Sequence, residues 1–312
     1  MTEAEFDDEY DMMMSSHTSM KVGGPAAVFC RPKNEEELIE RIRTFYADGF
    51  PFILLGNGTN VIVRDGGYQG AVISTLSALR GIKLSPAFDT GADSGSGSTC
   101  IECGAGESLA QVCRFAARHG LAGMEALSGI PGTIGGAIYM NAGAYESDIA
   151  SVTESVKVYD VCNDNIIMLT SEECGFSYRS SVFKTGLNNS NSLVILSVRL
   201  RLNHGNKEDI ETKMADFTRR RNDRQPVEMP SAGSFFKRPE GDYAGRLIEQ
   251  AGMKGARVGG AQVSEKHAGF IVNTGNATAE DVLLLADIIK SKVYESSKVK
   301  LEEEPIVIGV SM

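Results

Sequence analysis

The 312-residue sequence predicts an α+β protein of about two domains, each large enough to bury its own hydrophobic core. Three observations support this prediction: short apolar runs rich in β-branched residues, glycine turns that separate them, and segments whose apolar residues recur with the helical period. Hydrophobic residues make up 42% of the chain and charged residues 23%. This balance is typical of a globular protein and excludes a chain that is disordered throughout.

The N-terminal part predicts helices that alternate with hairpin-like strands. A first helix is predicted after Asn34, because Asn34 can cap it and Glu37 follows three residues later. The stretch FPFILLGNGTNVIVRDGGYQGAVI then predicts strand, turn, strand, turn and strand. A second helix is predicted in GESLAQVCRFAARHG, with Gly120 as its C-terminal stop. Between these segments, the composition of Asp89–Thr99 predicts a flexible, exposed loop.

The rest of the chain predicts a sheet, a linker and a second set of elements. SVKVYDV, NIIML and SLVILSVRLRL predict strands of an antiparallel or mixed sheet, and the first domain is predicted to end near residue 205. A helix through Ile210 follows, and Pro226 and Pro230 break its pattern, which predicts a linker. Beyond it we expect a short helix, strands in RVGGAQVS and GFIVN, a long helix from Thr278 and a last strand in PIVIGV.

The charge balance and the N-terminus limit the classes of partner. Acidic residues outnumber basic ones by 41 to 31, for a formal net charge of -10, so attraction to nucleic acid or to an anionic membrane is not expected. No apolar run reaches the roughly 20 residues that span a bilayer. The N-terminus MTEAEFDDEYDMMM is acidic, whereas a secretory signal is basic and then apolar. We predict a cytoplasmic protein with no membrane or nucleic-acid partner.

The cysteines predict neither a disulfide framework nor a metal site. Six cysteines in a chain of this length are too sparse for the dense disulfides of small secreted domains. Cys100 and Cys103 have a metal-like or redox-like spacing, but no second pair or nearby histidine completes a four-ligand set. We therefore predict no metal site.

Two glycine-rich stretches share one design. They are LLGNGTNVIV, over Leu54–Val63, and GIPGTIGGAIYMNAGA, from Gly129. Each leaves main-chain N–H groups that can point at an anion with no side chain in the way, as in pyrophosphate sites. Neither stretch has the P-loop pattern, and Gly56-x-Gly58 lacks the third glycine and the helix of a dinucleotide fold. The same glycines could serve only as hairpin turns, although the apolar residues between them also offer a slot for a flat ring.

Six longer motifs, in order over some 250 residues, resemble one enzyme family. They are HTSMKVGGPA, LGNGTNVIVRDGGYQGAVI, GMEALSGIPGTIGGAIYMNAGAYESDI, YRSSVFK, RNDRQPVEMPSAGSFFKRP and AGRLIEQAGMKGARVGGAQVSEKHAGFIVN. Through them the chain resembles the UDP-N-acetylenolpyruvoylglucosamine reductases, which are flavoenzymes of peptidoglycan precursor synthesis. The chain resembles their shorter subclass, because no long insertion separates YRSSVFK from the following strand.

The resemblance implies a domain organisation and a cofactor. Residues 1–205 would form a FAD-binding region of the vanillyl-alcohol-oxidase type, in α+β subdomains of about 1–76 and 77–205. A C-terminal α+β substrate-binding domain over 206–300 would follow, and a strand over 301–312 would return to the active site. In this family the FAD is not covalent, so no attachment through His17 is implied. We also predict a monomer.

The resemblance places main-chain amides on the FAD pyrophosphate and apolar side chains beside the cofactor. The residues implied in FAD binding are Gly56, Asn57, Gly58, Thr59, Asn60, Val61, Gly129, Ile130, Pro131, Gly132, Thr133, Gly135, Gly136, Ala137, Asn141, Ala142, Gly143 and Arg221.

The family reduces the enolpyruvyl double bond of UDP-N-acetylglucosamine enolpyruvate to the lactyl ether of UDP-N-acetylmuramate. The hydride comes from NADPH through the flavin, because no side chain can supply one. The resemblance implies that Arg179 holds the substrate carboxylate while it becomes an enolate, and that Ser234 donates the proton. From the residues alone, Arg179 would be an ordinary surface cation and Ser234 a turn residue beside Gly233.

Glu304 is the implied third catalytic residue and would help to stabilise the enolate, as a hydrogen-bond donor with a raised pKa. Its spacing to Gly309 selects it, but Glu302 and Glu303 are neighbouring choices. Pro305 departs from the pattern, since the family usually has a β-branched residue there.

Local cations would meet the diphosphate of the UDP-sugar in this acidic protein. The residues implied are Lys237, Arg238, Lys266 and His267, and His267 could instead be a hydrogen-bonded structural histidine. Arg221 could contact either the flavin or the substrate phosphate, whereas Arg219, Arg220 and Arg224 are interpreted as a solvated helical face.

Two other functions are compared with the reductase. A flavin oxidase of the same fold, acting on a sugar or an alcohol, would need neither Ser234 nor the carboxylate clamp at Arg179. A flavin- or nucleotide-binding module without turnover is disfavoured by the simultaneous presence of Arg179, Ser234 and a late glutamate.

Overall fold

The computed structural model describes residues 8–85, 98–145, 147–185 and 192–312. The chain divides into two compact units that alternate along the sequence. Unit 1 comprises Met1–Phe29, Asn57–Ala71 and Arg221–Met312, and unit 2 comprises Cys30–Gly56 and Val72–Arg220. Each unit therefore assembles segments that are distant in the sequence.

Helices and short strands alternate along the described residues, as the sequence predicts. The strands are β1 (Glu9–Met13), β2 (Pro25–Cys30), β3 (Phe52–Leu55), β4 (Val61–Val63), β5 (Tyr68–Ser74), β6 (Ile82–Ser85), β7 (Ser98–Gly104), β8 (Leu121–Ala122), β9 (Gly143–Ala144), β10 (Ser147–Asp148), β11 (Thr153–Asp160), β12 (Asn165–Thr170), β13 (Leu193–His204), β14 (Ser231–Ser234), β15 (Arg257–Val258), β16 (Ala261–Val263), β17 (Phe270–Asn273) and β18 (Ile306–Ile308). The helices are α1 (Glu35–Ala47), α2 (Leu109–Arg118), α3 (Ile134–Met140), α4 (Val182–Thr185), α5 (Lys207–Arg224), α6 (Ala244–Gln250) and α7 (Ala279–Ser297).

Unit 2 is built on an antiparallel sheet in which the strands follow the order β12, β11, β13, β7 and β6, and β8 pairs with the end of β13. In β13, Val198, Leu200 and Leu202 are buried, whereas Arg199 and Arg201 between them are partly exposed. This alternation is what a strand with one core-facing side produces. Helix α3 contacts both β7 and β13, so the sheet supports the second glycine-rich stretch.

Unit 1 contains a second antiparallel sheet, in the order β14, β17, β16 and β15, and helix α7 contacts two of its strands. Phe235, Val263, Ile271 and Ile289 belong to the buried core between these elements. Strand β1 pairs antiparallel with β2. The last strand, β18, pairs in parallel with β4, so the end of the chain lies beside the strand that follows the first glycine-rich loop.

The start of α7 is held by two sets of hydrogen bonds. Thr278 and Asp281 form a capping box, in which each side chain accepts the backbone N–H of the other residue at 3.0 and 3.1 Å. The Asp65 carboxylate accepts the N–H groups of Ala279 and Glu280, each at 2.9 Å. These bonds satisfy the donors that a helix leaves unpaired at its first turn.

Replacing Thr278 by alanine is expected to lower the free energy of unfolding by about 1 kcal/mol, because it removes the side-chain acceptor for Asp281 N–H. Urea denaturation followed by circular dichroism measures the change. Ser296→Ala in the last turn of α7 is the control, since that hydroxyl only bonds the carbonyl of Val293 within the helix. Equal stability of the Thr278→Ala variant and the parent would contradict the assignment.

The structure also differs from the prediction at two places. The second glycine-rich stretch, which its glycines mark as a loop, contains α3, because the Thr133 side chain caps a short helix of small and apolar residues. Of the predicted loop Asp89–Thr99, residues 89–97 lie outside the described residues. Ser98 and Thr99 belong to β7 instead of to a loop, because they pair with Asn203 and Leu202 of β13.

The predicted domain boundaries divide the chain by function, and they stay a prediction.

Cys100 and Cys103 both lie in β7 and are buried. Among the described residues, no group of three or more histidine, cysteine, aspartate or glutamate side chains could hold a metal ion. None of the helices in the described part of the chain combines the length and apolar character that crossing a bilayer requires.

Candidate active site

The first glycine-rich loop connects β3 to β4. In unit 1, close contacts with neighbouring backbone require a glycine at position 58. Gly58 has a φ of +61°, and a Cβ there would lie 2.1 Å from the carbonyl oxygen of His17. The Ser19 N–H donates to the carbonyl of Gly58 at 3.0 Å. The loop is therefore packed tightly against the HTSMK segment, and a side chain at position 58 would separate them.

In unit 2, the first and second glycine-rich stretches meet. A Cβ on Gly56 would lie 2.5 Å from Oγ1 of Thr133. The same Oγ1 accepts the N–H of Gly136 at 3.2 Å, and the carbonyl of Gly132 accepts the N–H of Leu109 at 3.1 Å. Two stretches that are about 75 residues apart in the sequence thus share one small surface.

That surface is where the flavin dinucleotide is predicted to bind. A pyrophosphate accepts hydrogen bonds, so it needs main-chain donors with no side chain in front of them. Pro131 and Gly136 are exposed while Thr133 between them is buried, so the backbone reaches the surface there. A Cβ on Gly136 would meet only Thr133 Oγ1, at 3.4 Å, and otherwise faces open space. The N–H groups of Ile134, Gly135 and Gly136 bond Glu107, Ala105 and Thr133 of the protein itself, so within Gly132–Gly136 at most the N–H groups of Gly132 and Thr133 could face the cofactor.

Arg179 is hydrogen-bonded to the end of the second glycine-rich stretch. Nη2 of Arg179 donates to the carbonyl of Gly143 at 2.9 Å. Arg179 itself has a φ of +54° and sits in a turn that is closed by two main-chain bonds between Ser177 and Ser180, at 3.0 and 3.1 Å. The guanidinium lies 5.2 Å from the ring centroid of Tyr178. The predicted carboxylate clamp is therefore a positioned side chain and not a loose surface cation.

In unit 1, the segment of Ser234 and the segment of Glu304 are bonded to each other. The Glu304 N–H donates to the carbonyl of Phe235 at 2.9 Å, and the Lys237 N–H donates to the carbonyl of Glu302 at 2.8 Å. Ser234 is exposed at the end of β14. These two bonds bring a hydroxyl and a carboxylate residue, 70 positions apart, onto neighbouring segments.

The three consecutive glutamates have different surroundings. Glu302 forms an ion pair with Lys237 at 2.8 Å, and this lysine lowers the pKa of its carboxyl. Glu303 forms an ion pair with Lys290 of α7 at 2.7 Å. Glu302 and Glu303 are each paired with a lysine, and the role of Glu304 in catalysis stays a prediction.

Pro305 suits its position in the backbone. On its two sides, Glu304 N–H bonds Phe235 and Ile306 N–H bonds the carbonyl of Asn60 at 2.9 Å. Nδ2 of Asn60 also donates to the carbonyl of Glu304 at 3.3 Å. A residue without an N–H group is therefore tolerated between them.

Two family models and several known proteins match this chain. A FAD-binding domain model matches residues 25–169, and the model of the C-terminal domain of UDP-N-acetylenolpyruvoylglucosamine reductase matches residues 225–308. The reductase of Caldanaerobacter subterraneus subsp. tengcongensis is 45% identical over 296 residues, which are 95% of this chain and 92% of that protein. The chain belongs to the UDP-N-acetylenolpyruvoylglucosamine reductase family.

Further relatives agree. The Clostridium kluyveri reductase is 42% identical over 97% of this chain and 93% of its own length. The crystal structure of the Thermus caldophilus reductase matches with a TM-score of 0.77 and 35% identity, and covers 97% of this chain and 99% of that one. The resemblance, the α+β fold with a FAD-binding domain, and the assignment to a family of reductases are thereby confirmed.

The cations predicted for the diphosphate of this reductase family have protein partners in unit 1. Lys237 pairs with Glu302, and Nζ of Lys266 donates to the carbonyl of Asn222 at 2.6 Å. The guanidinium of Arg238 lies 4.1 Å from the ring centroid of Tyr243. Their roles toward substrate stay predictions.

The arginines before the predicted linker divide as expected. Arg219 and Arg220 both pair with Asp216, at 2.6 and 2.7 Å, and both side chains are more than half exposed. Arg224 is exposed, whereas Arg221 is partly buried. The solvated helical face is confirmed for the first two, and Arg221 keeps its predicted role at the cofactor as a prediction.

The ring of His267 is hydrogen-bonded and packed within the protein. Its Nδ1 accepts the N–H of Gly269 at 3.1 Å, and its ring contacts Phe270 edge to face at 5.1 Å between centroids. Burial lowers the pKa of His267 below its ordinary value. The structural interpretation of His267 is therefore favoured over that of a cation for the diphosphate, and a neutral Nε2 could still donate one hydrogen bond.

The pKa of His267 is expected to lie below about 6.5 in the folded protein. The unfolded chain then binds more protons than the folded one as the pH falls below this value, so the contribution of this ring to stability is present at neutral pH and is lost on acidification through the folded pKa. An NMR titration of the imidazole Cε1 proton, assigned with His267→Gln, measures it. A midpoint at or above 6.5 would contradict the buried, neutral ring.

One contact near the site was missed from the sequence. Oγ of Ser19 donates to the carbonyl of Ser231 at 2.6 Å and so holds the beginning of β14, which ends at Ser234. The signal was present, because Ser19 lies in the HTSMKVGGPA motif, but no pattern in the sequence pairs residues 212 positions apart.

Proposed function

We propose that this chain is a FAD-dependent, NADPH-driven reductase that converts UDP-N-acetylglucosamine enolpyruvate to UDP-N-acetylmuramate for peptidoglycan precursor synthesis in the cytoplasm. Family membership supports the reaction class, and the FAD-binding domain model supports the cofactor. The observation that carries the proposal is the pairing of Glu304 with Phe235, because it joins the segment of the proposed proton donor to that of the proposed enolate stabiliser.

When bound, FAD would supply the chemistry that no side chain has, by accepting a hydride from NADPH and passing it to the vinyl carbon of the substrate. The proposed FAD-binding residues supply its environment. Thr133 Oγ1 orders the turn of Gly132–Gly136, whose backbone is free of side chains at the surface. Within this turn the N–H groups of Ile134, Gly135 and Gly136 bond the protein, so an anion would be met by the N–H groups of Gly132 and Thr133, without the cost of ordering a flexible loop.

Arg179 would bind the substrate carboxylate. A guanidinium is planar and presents several donors, so it can hold a carboxylate with two parallel bonds. Nη2 of Arg179 is already bonded to the carbonyl of Gly143. This bond fixes the plane of the guanidinium before the substrate binds. As charge moves onto the carboxylate in the transition state, a preoriented cation stabilises it more strongly than the ground state.

Ser234 would donate the proton to the carbon next to the carboxylate. A hydroxyl is a poor acid in water, so this role requires that the negative charge develops directly beside its oxygen. Glu304 would stabilise the same charge as a hydrogen-bond donor, which requires a carboxyl that stays protonated in a desolvated site. The hydrogen bonds from Ser19 to Ser231 and from Glu304 to Phe235 support a rigid placement of these two groups.

The partner is a small UDP-sugar, and we assign no nucleic acid, membrane or second copy of the chain to it. Lys237, Arg238 and Lys266 are the cations proposed for the diphosphate. The net charge of -10 supports this division, because only local cations can attract an anionic substrate to so acidic a protein.

Purified protein is expected to be yellow, with the absorbance bands of a flavin, and to oxidise NADPH only when the enolpyruvyl sugar nucleotide is present. Anaerobic NADPH consumption followed at its own absorbance band, with and without that substrate, is the test. Rapid oxygen consumption with a sugar or alcohol as reductant would instead identify an oxidase. A flavin spectrum without turnover of any of these substrates would identify a binding module.

A further inference from the structure

We propose that Asn141 positions the catalytic arginine and is not a ligand of the cofactor. The inference rests on the proposed function, since Arg179 matters for turnover only if it binds the substrate carboxylate. It changes the role implied by the family resemblance, which places Asn141 among the FAD-binding residues. The proposal rests on one contact: the buried amide of Asn141 donates a hydrogen bond to the turn that contains Arg179.

Asn141 ends α3 and is 3% exposed. Its backbone has a φ of +42°, in the left-handed region that asparagine adopts more readily than most residues with a side chain. This conformation reverses the chain direction after α3 and turns the side chain into the protein. The residue is thus buried where the chain leaves the second glycine-rich stretch.

Every donor of the Asn141 amide is used by the protein. Nδ2 donates to Oδ2 of Asp148 at 3.1 Å and to the carbonyl of Ser177 at 3.0 Å. Oδ1 accepts the N–H of Ala150 at 3.2 Å. Because two partners are acceptors and one is a donor, the orientation of the amide is unambiguous. Both Nδ2 hydrogens are occupied, so this group has no donor left for a pyrophosphate.

The carbonyl of Ser177 belongs to the turn that carries Arg179. That turn spans Ser177–Ser180 and holds Arg179 in a left-handed conformation, which costs free energy unless the surroundings stabilise it. Two further bonds support it: Oγ of Ser181 donates to the carbonyl of Tyr139 at 2.8 Å, and Nζ of Lys184 donates to the carbonyl of Arg179 at 3.1 Å. Asn141 bonds the first residue of the turn.

Asn141 and Arg179 therefore each hydrogen-bond the segment that contains the other. Asn141 bonds the turn of Arg179, and Arg179 bonds the carbonyl of Gly143, two residues after Asn141. Loss of the amide leaves the Ser177 carbonyl and the Asp148 carboxylate without this buried donor. The turn then shifts, and a displacement of a guanidinium by about 1 Å is enough to reduce catalysis by about 100-fold.

Asn141→Gly tests the proposal, because glycine keeps the left-handed backbone and removes only the amide. Asn276→Gly is the matched control: Asn276 also has a positive φ, of +61°, but its side chain is exposed. In the Asn141 variant, flavin content and the anaerobic rate of flavin reduction by NADPH are expected to stay within about twofold of the parent. The rate of flavin reoxidation by the enolpyruvyl substrate is expected to fall by about 10- to 100-fold. The control is expected to match the parent in all three.

Asn141→Asp provides a second variant with the same shape. It sets a carboxylate against Asp148 and the Ser177 carbonyl, where the amide donated, so its reoxidation rate is expected to fall at least as far. A crystal structure of either variant gives a readout without turnover: the distance from Arg179 Nη2 to the Gly143 oxygen, 2.9 Å in the parent, is expected to lengthen beyond hydrogen-bonding range.

Loss of flavin, or an equal slowing of its reduction by NADPH, would overturn the proposal and make Asn141 a cofactor ligand. An unchanged reoxidation rate together with an unchanged Arg179 geometry would also overturn it. Failure of the proposed function is a separate result, since the parent protein itself would then not oxidise NADPH with the enolpyruvyl substrate. In that case the crystal structures still decide whether Asn141 positions Arg179.

Discussion

Replacing Ser234 by alanine is expected to lower kcat for reduction of the enolpyruvyl substrate by about 10²- to 10⁴-fold, the range that loss of a positioned proton donor produces. FAD should stay bound and should still be reduced by NADPH, because neither step uses the hydroxyl. Stopped-flow absorbance separates the two half-reactions. The effect is large because water cannot replace a donor that is held beside the developing charge.

Ser291→Ala is the matched control for Ser234→Ala. Ser291 lies on the exposed side of α7 and its hydroxyl bonds only the carbonyl of Asp287. Its kinetics should equal those of the parent. Steady-state reduction by Ser234→Ala at close to the parental rate, with flavin bound, would show that the proton comes from another group.

Replacing Arg179 by methionine is expected to reduce kcat/KM for the enolpyruvyl substrate by about 10²- to 10³-fold, because it removes donors from the charge that develops on the carboxylate. Arg179→Lys should recover little of this loss, since an ammonium group cannot form the paired bonds of a guanidinium. Anaerobic reoxidation of NADPH-reduced flavin at several substrate concentrations resolves the effects on binding and on the chemical step.

Arg220→Met is the corresponding control. Arg220 is an exposed arginine that pairs with Asp216 on the surface of α5, and such a pair contributes little to stability. Its variant should keep both half-reactions. If Arg179→Met and Arg220→Met had the same reoxidation rate as the parent, Arg179 would be an ordinary surface cation and the carboxylate would be bound elsewhere.

Much of the secondary structure followed from local patterns. Asn34 caps α1 through a bond from the Glu37 N–H at 2.8 Å, which the spacing predicted. The strand β13 and the glycine stop after α2 are also predicted from the sequence, because β-branched apolar runs and a glycine after the last helical turn are local signals. Such features depend only on residues a few positions apart.

The glycines were harder to interpret. The sequence predicts that Gly56 and Gly58 leave room for a cofactor, yet a Cβ at either position would first collide with Thr133 or His17 of the protein. Helix α3 is not predicted from the sequence, since two of its seven residues are adjacent glycines, which disfavour a helix. The Thr133 cap and the contact with β7 and β13 override that propensity.

By itself, the sequence determined the alternation of helices and strands, the caps and the family, because each depends on short patterns or on motifs in order. Only the tertiary structure decided which distant segments meet: Gly56 with Thr133, Asn60 with Glu304, and Asn141 with the turn of Arg179. These contacts join residues 36 to 244 positions apart. Their partners are selected by packing and by the need to satisfy buried polar groups, which no local pattern encodes.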